Sequence, residues 1–154
     1  MATPKMIGVT TEKALIQVIK ETKAPSIARL NNYFGQDFTI DYISAGLISL
    51  NNFINVGQKL NSEQIREIAV MIYEDYKLFT VADFQFVIRK AKKGHYGDVF
   101  RLDGMLILSW MNKHWTSRLN ASEQQRLSER SNYKESIDYN RANTPFVEVL
   151  KKMK

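Results

Sequence analysis

Between residues 89 and 101 the chain gathers Arg89, Lys90, Lys92, Lys93 and Arg101 around His95 and Tyr96. Cations neutralise phosphates and flat rings stack on unpaired bases, so basic groups interleaved with aromatics carry the chemistry of nucleic-acid contact. These residues form a candidate nucleic-acid-binding site, with single-stranded DNA as one partner such a surface takes. A plainer explanation stands beside it. Arg89, Lys90, Lys92 and Lys93 fall in the last turns of an expected helix, where cations complement free carbonyls and contribute about 0.3–1 kcal/mol each. Within the segment that follows, Phe100 is expected to tuck into the core and His95 and Tyr96 to face a ligand. Gly94 and Gly97 permit a tight reversal. Their GxxG spacing matches the KH-domain clamp, but that clamp requires a sheet which a helical chain does not supply.

A second candidate surface lies at the end of the chain. Thr144-Pro145 is a helix start, and Phe146, Val149, Leu150 and Met153 follow at i, i+3, i+4 and i+7. This short amphipathic helix is expected either to dock on its own domain or to bind a partner protein in a groove.

Catalysis is not expected. The chain has no cysteine, which excludes a disulfide framework, a thiolate metal site and a Cys nucleophile together. His95 and His114 fall in different elements without the spacing of a metal pair, and each is expected to be a surface or capping residue. Phosphate-binding loops, nucleophile elbows and dinucleotide fingerprints are absent from the sequence. A non-catalytic protein with no cofactor and no metal follows as the expectation.

The elements that must position these residues read as helices. Thr10 or Thr11 caps a first helix to about Lys23, ended by Ala24-Pro25; Ser26 caps a brief second one closed by Gly35. Ile40, Ile43, Leu47, Leu50 and Ile54 make the core stripe of a third, with Ala45 and Gly46 allowing another helix to approach closely. Asn61 and Gln64 have the spacing of a capping box before the stripe Ile65, Ile68, Ala69, Ile72, Tyr73 and Tyr76. Thr80 caps the fifth helix, with Asp83 in its first turn and Phe84, Val87, Ile88 and Ala91 buried. Asp103 caps a sixth, Gly104 to about Ser117, apolar nearly all round and therefore central, with Trp110 in the core.

After Arg118, Ser, Glu, Gln, Arg and Asn dominate, and Leu127 and Ile137 are too sparse for a wide core stripe. The expected fold is all-α: a compact bundle of about six helices over residues 1–118, and a polar arm over 119–154 ending in the amphipathic helix. At 154 residues and 44% hydrophobic content, one core of ordinary size can form without staples. No window approaches the roughly 18 apolar residues of a membrane span, so no membrane partner is expected. Positive charge is concentrated: residues 77–118 hold 8 basic and 3 acidic side chains, against 7 and 8 in residues 1–76 and 7 and 5 in residues 119–154. One face meeting an anionic partner produces that pattern, as does a solvated helix face.

Several runs resemble a family of uncharacterised proteins found in Bacteroidetes, their phages and mobile elements. They are APSIARL from Ala24 to Leu30, LNNFIN from Leu50 to Asn55, Tyr76 to Phe84, Ala91-Lys92-Lys93-Gly94 through Tyr96-Gly97, Leu102-Asp103-Gly104, and Ile107 to Trp110. The resemblance covers roughly residues 24–118 and implies a setting rather than an activity. The order of basic helix, Tyr96 and the apolar run Ile107 to Trp110 also looks like the C-terminal module of DnaD-type primosome and helicase-loader proteins. That likeness implies contact with single-stranded DNA and a replicative helicase, with Tyr96, Ile107 and Trp110 as counterparts. Two expectations result. One is a nucleic-acid-binding accessory protein of phage or mobile-element replication in the bacterial host cytoplasm. The other is a structural or packaged virion protein acting through contacts with phage proteins.

Overall fold

Most of the helices open on a side chain that returns a hydrogen bond to the backbone. In the computed structural model of the chain, which describes residues 6–142, 148 and 151–153, Thr11 accepts from Ala14 N at 3.2 Å and opens α1 (Glu12–Thr22). Ser26 accepts from Arg29 N at the head of α2 (Ile27–Phe34). Asn61 and Gln64 exchange bonds of 2.9 and 3.0 Å, completing the capping box of α4 (Ser62–Asp75). Thr80 and Asp83 build a second box on α5 (Val81–Lys92), and Asp103 Oδ1 accepts from Leu106 N to start α6 (Gly104–Ala142). Such caps contribute about 1 kcal/mol each. The helix between them, α3 (Gln36–Phe53), has no side-chain cap and begins before the Ile40 stripe. Gly35, at φ 86°, lets α2 end and α3 start at one residue. The first turn of α3 is then fastened by Phe38, whose ring sits 4.8 Å from that of Phe34.

The protein is an all-α bundle. Its core is the meeting of four stripes: Ile40, Ile43, Leu47 and Leu50 of α3; Ile65, Ile68, Ala69 and Ile72 of α4; Phe84, Val87, Ile88 and Ala91 of α5; Ile107, Trp110 and Met111 of α6. At Gly46 α3 and α5 approach closely, since a Cβ there would overlap the Phe84 ring. A smaller cluster of Met6, Leu15, Ala82 and Phe86 fastens α1 to α5. Loops are held by polar clamps. Asn51 is buried and exchanges two 3.0 Å bonds with the backbone of Leu60, satisfying a donor and an acceptor in the α3–α4 connection. The α4–α5 connection pairs with the start of α2: Ile27 N donates to Phe79 O at 2.7 Å, and Val81 N donates to Pro25 O at 3.0 Å.

The sixth helix does not stop near Ser117 but runs on to Ala142. Two units can be distinguished, Met1–Arg118 and Leu119–Lys154. In the second, residues 119–142 are helical and almost entirely solvated, with Leu127, Tyr133 and Ile137 exposed. Of the expected amphipathic helix, Phe146, Val149 and Leu150 lie outside the described residues, and Met153 is exposed. No helix among the described residues is long and apolar enough to cross a membrane.

Candidate nucleic-acid interface

Helix α5 carries most of the candidate cations, and its burial pattern determines which of them face water. Val81, Ala82, Asp83, Phe84, Phe86, Val87, Ile88 and Ala91 are buried, leaving Gln85, Arg89, Lys90 and Lys92 toward the outer side. Lys90 is engaged within the fold. Its Nζ lies 2.6 Å from Glu12 Oε1 and 4.7 Å from the Phe86 ring centre, tying α5 to α1. Burial pushes the Glu12 carboxyl up, but the hydrogen bond and charge of Lys90 outweigh it and leave the group below its ordinary value. Lys92 points the other way. Its Nζ donates to Ser49 Oγ at 2.6 Å and stands 5.4 Å from the centre of the Phe53 ring, which is 60% exposed. Arg89 borders a groove of about 440 Å³ between α3 and α5, floored by Gly46 and Phe84 and edged by Tyr42 and Gln85.

The helix ends in a Schellman motif. Gly94, at φ 73°, turns the chain so that His95 N donates to Lys90 O and Gly94 N to Ala91 O, both at 3.0 Å. A second positive-φ glycine, Gly97, closes the next turn. Lys93 and His95 are left exposed at this end. Tyr96 is not available as a stacking platform, because its ring lies on Trp110 at 5.4 Å and 13°. Its hydroxyl is buried without a hydrogen-bond partner, and burial, with a smaller push from the Glu12 charge, raises its pKa to about 12. Phe100 reverses the expectation of a core residue: it is 86% exposed. Leu102 occupies the core position in that stretch instead. Arg101 is committed to Asp103 through bonds of 2.9 and 3.2 Å and borders a separate groove with Gln64, Met71 and Met105. The structure thus brings Arg89, Lys92, Lys93 and His95 together at the end of α5, and gives Lys90, Tyr96 and Arg101 structural contacts.

No family model, curated protein or solved structure matches this chain.

Sequence reasoning missed a densely connected buried polar group, centred on Asp83. Asp83 is fully buried. Its Oδ2 accepts from Thr80 N at 2.9 Å and Thr80 Oγ1 at 2.8 Å, while Oδ1 meets His114 Nε2 at 2.8 Å. Arg118 Nε also lies 2.8 Å from Oδ1, with its N–H directed off that line, so the contact is an ion pair rather than a hydrogen bond. His114, expected at the surface or as a cap, is buried between the rings of Phe79 and Phe86 at 5.5 and 5.4 Å. Its Nδ1 has no partner, so the tautomer with hydrogen on Nε2 leaves only a lone pair unsatisfied, not a donor. One signal could have located the set. Ile107, Met111, His114 and Arg118 follow i, i+4, i+7 and i+11, the inward stripe of α6, and an acid at the third position of a capped helix is their natural partner.

An aspartate–histidine pair is also part of many nucleophilic sites, but this one is sealed, and its one hydroxyl, Thr80, donates to the aspartate itself. Among the described residues no three His, Cys, Asp or Glu side chains converge as metal ligands would. The geometry makes Asp83 the tie between the head of α5 and the inner face of α6.

Proposed function

We propose that this chain is a non-catalytic nucleic-acid-binding accessory protein of phage or mobile-element replication, helicase-loader-like, acting in the bacterial host. Its contact surface is the end of α5 with Arg89, Lys92, Lys93 and His95, together with the exposed Phe53 ring. One observation carries this reading: Lys92 stands over a solvent-facing aromatic, so a cation for phosphate and a flat face for a base are offered side by side. The free carbonyls at the ends of α3 and α5 repel phosphate by themselves. The excess of 8 basic over 3 acidic side chains in residues 77–118 reverses that sign. The setting in phages and mobile elements rests on the family resemblance of residues 24–118.

Titration of the full chain into fluorescent single- and double-stranded oligonucleotides at about 50 and 200 mM salt tests the proposal. Each phosphate partner removed lowers the logarithmic salt slope by about 0.7 on single strands and 0.9 on duplex, so Lys92→Gln with Lys93→Gln lowers it by about 1.4–1.8. Phe53→Ala weakens single-strand binding by about 1–3 kcal/mol, the stacking energy of one base. No binding at 50 mM salt refutes the reading, and a Lys92/Lys93 variant that binds like wild type refutes the assignment of the contact surface to the end of α5.

A specific observation favours a second reading, that of a virion protein working through protein contacts. Tyr33, Phe34 and Phe38 form an exposed aromatic corner between α2 and α3, and aromatic anchors of this kind dominate protein interfaces. Mass spectrometry of purified particles decides it.

A further inference from the structure

The extension of α6 past Arg118 places side chains that look ordinary in sequence on one line. At about 100° per residue, Arg126, Arg130, Lys134 and Arg141 fall within an arc of about 80°. They are all the cations of residues 119–142, and all four are exposed. Of the acids, Glu123 shares the arc and is paired with Arg126 at 2.7 Å, whereas Glu129, Glu135 and Asp138 lie outside it. Helix stability explains only part of this arrangement: Glu123–Arg126 and the spacings of Asp138 from Lys134 and Arg141 favour the helix, but the run of three cations opposes it. Arg126, Arg130 and Lys134 are successive i, i+4 like charges, each pair of which destabilises a solvated helix by about 0.2–0.5 kcal/mol.

We infer that this face is a second anion-binding surface, one that lies along a nucleic-acid backbone. The inference rests on the proposed function for the class of partner and adds a site that the end of α5 does not contain. Rise along the helix sets Arg126, Arg130 and Lys134 about 6 Å apart and carries the row on to Arg141 about 22 Å from its start. A duplex presents one phosphate charge per roughly 1.7 Å of its axis, so a straight row of cations meets a dense field of partners along its whole length. Ile137 sits inside the same arc and Tyr133 about 20° beyond its edge, while the opposite side carries Ser128, Asn132, Glu135 and Tyr139. An interfacial membrane helix needs the reverse, an apolar sector separated from its cations. Interleaved rings and cations fit a groove and its flanking phosphates.

The test uses the full chain and fluorescein-labelled single- and double-stranded oligonucleotides. Arg126→Gln, Arg130→Gln, Lys134→Gln and Arg141→Gln are combined in one variant, with helicity checked by circular dichroism and Lys92→Gln/Lys93→Gln measured in parallel. Removing four cations from the duplex interface lowers the salt slope by about 3.6, which at 50 mM removes most of an advantage that changes about 150-fold between 50 and 200 mM salt. On single strands the corresponding drop is about 2.8. A quadruple variant that keeps the wild-type slope while the Lys92/Lys93 variant loses its share overturns this inference and leaves the proposed function standing. The opposite result overturns the surface proposed at α5 and supports this one. Wild-type protein that sediments with phosphatidylserine vesicles through these residues, yet binds neither oligonucleotide, overturns both.

Discussion

Replacing Asp83 by alanine should be the most damaging single change in the domain. The carboxylate holds Thr80 through two hydrogen bonds and His114 and Arg118 at 2.8 Å each, with no exposure to water. Loss of the cap on α5 costs about 1 kcal/mol. Leaving the inward-turned Arg118 guanidinium uncompensated costs about 3–5 kcal/mol more. The total, about 4–6 kcal/mol, is a large share of the 5–15 kcal/mol that stabilises an ordinary domain. With about 3–5 °C per kcal/mol for a domain of this size, Tm should fall by about 12–30 °C. Thermal and urea melts followed by circular dichroism at 222 nm read this directly. If the alanine variant does not fold, Asp83→Asn serves instead: it keeps an acceptor for Thr80 but turns a donor toward Arg118, and should lose a smaller amount. Replacing the set together, Asp83→Leu with His114→Leu and Arg118→Met, should recover much of the loss, because no buried charge is stranded. A fall below about 4 °C for Asp83→Ala, or no recovery in the triple variant, refutes the role assigned to the carboxylate.

Two further outcomes test packing around the candidate surface. Gly46→Ala gains about 1 kcal/mol of helix propensity but drives a methyl into the Phe84 ring; Tm should fall, Phe84→Leu in the same chain should restore it, and a rise in Tm for the single variant contradicts the close contact of α3 with α5. Tyr96→Phe removes a buried hydroxyl without a partner and keeps the Trp110 stack, so stability should be unchanged or up to about 1 kcal/mol higher with oligonucleotide affinity unaltered. The tyrosine's folded value is raised to about 12, so its contribution is intact below the unfolded value near 10 and is lost as the pH climbs through 12; urea melts from pH 9 to 12 should show a shallower alkaline decline in the phenylalanine variant.

What was legible in the sequence is what depends on near neighbours. Thr11, Ser26, Asn61, Thr80 and Asp103 cap as their spacing implies, because a cap is decided within three residues. Gly46 could be read as a point of close approach, although not that Phe84 would be the ring against it. The length of α6 is obscured by its sparse apolar residues, although no Gly or Pro interrupts the chain from Met105 to Thr144. Local pairs such as Glu123–Arg126 and Gln125–Glu129 support that helix without a core. Tyr96 and Phe100 exchanged their expected environments because a loop's side chains are placed by what they meet, here Trp110, and no periodicity encodes it. The same holds for Asp83: His114 is 31 residues away along the chain, and only the finished fold brings them together.

That separation also has a consequence in time. A chain made from its N-terminus at about 5–20 residues per second leaves Asp83 for about 2–6 s before His114 has even been added. During that interval α5 can cap itself with Thr80, but burying the carboxylate before His114 and Arg118 are present would strand its charge. The buried set around Asp83 therefore cannot be completed until α6 is made, which places its closure late in the domain's own synthesis.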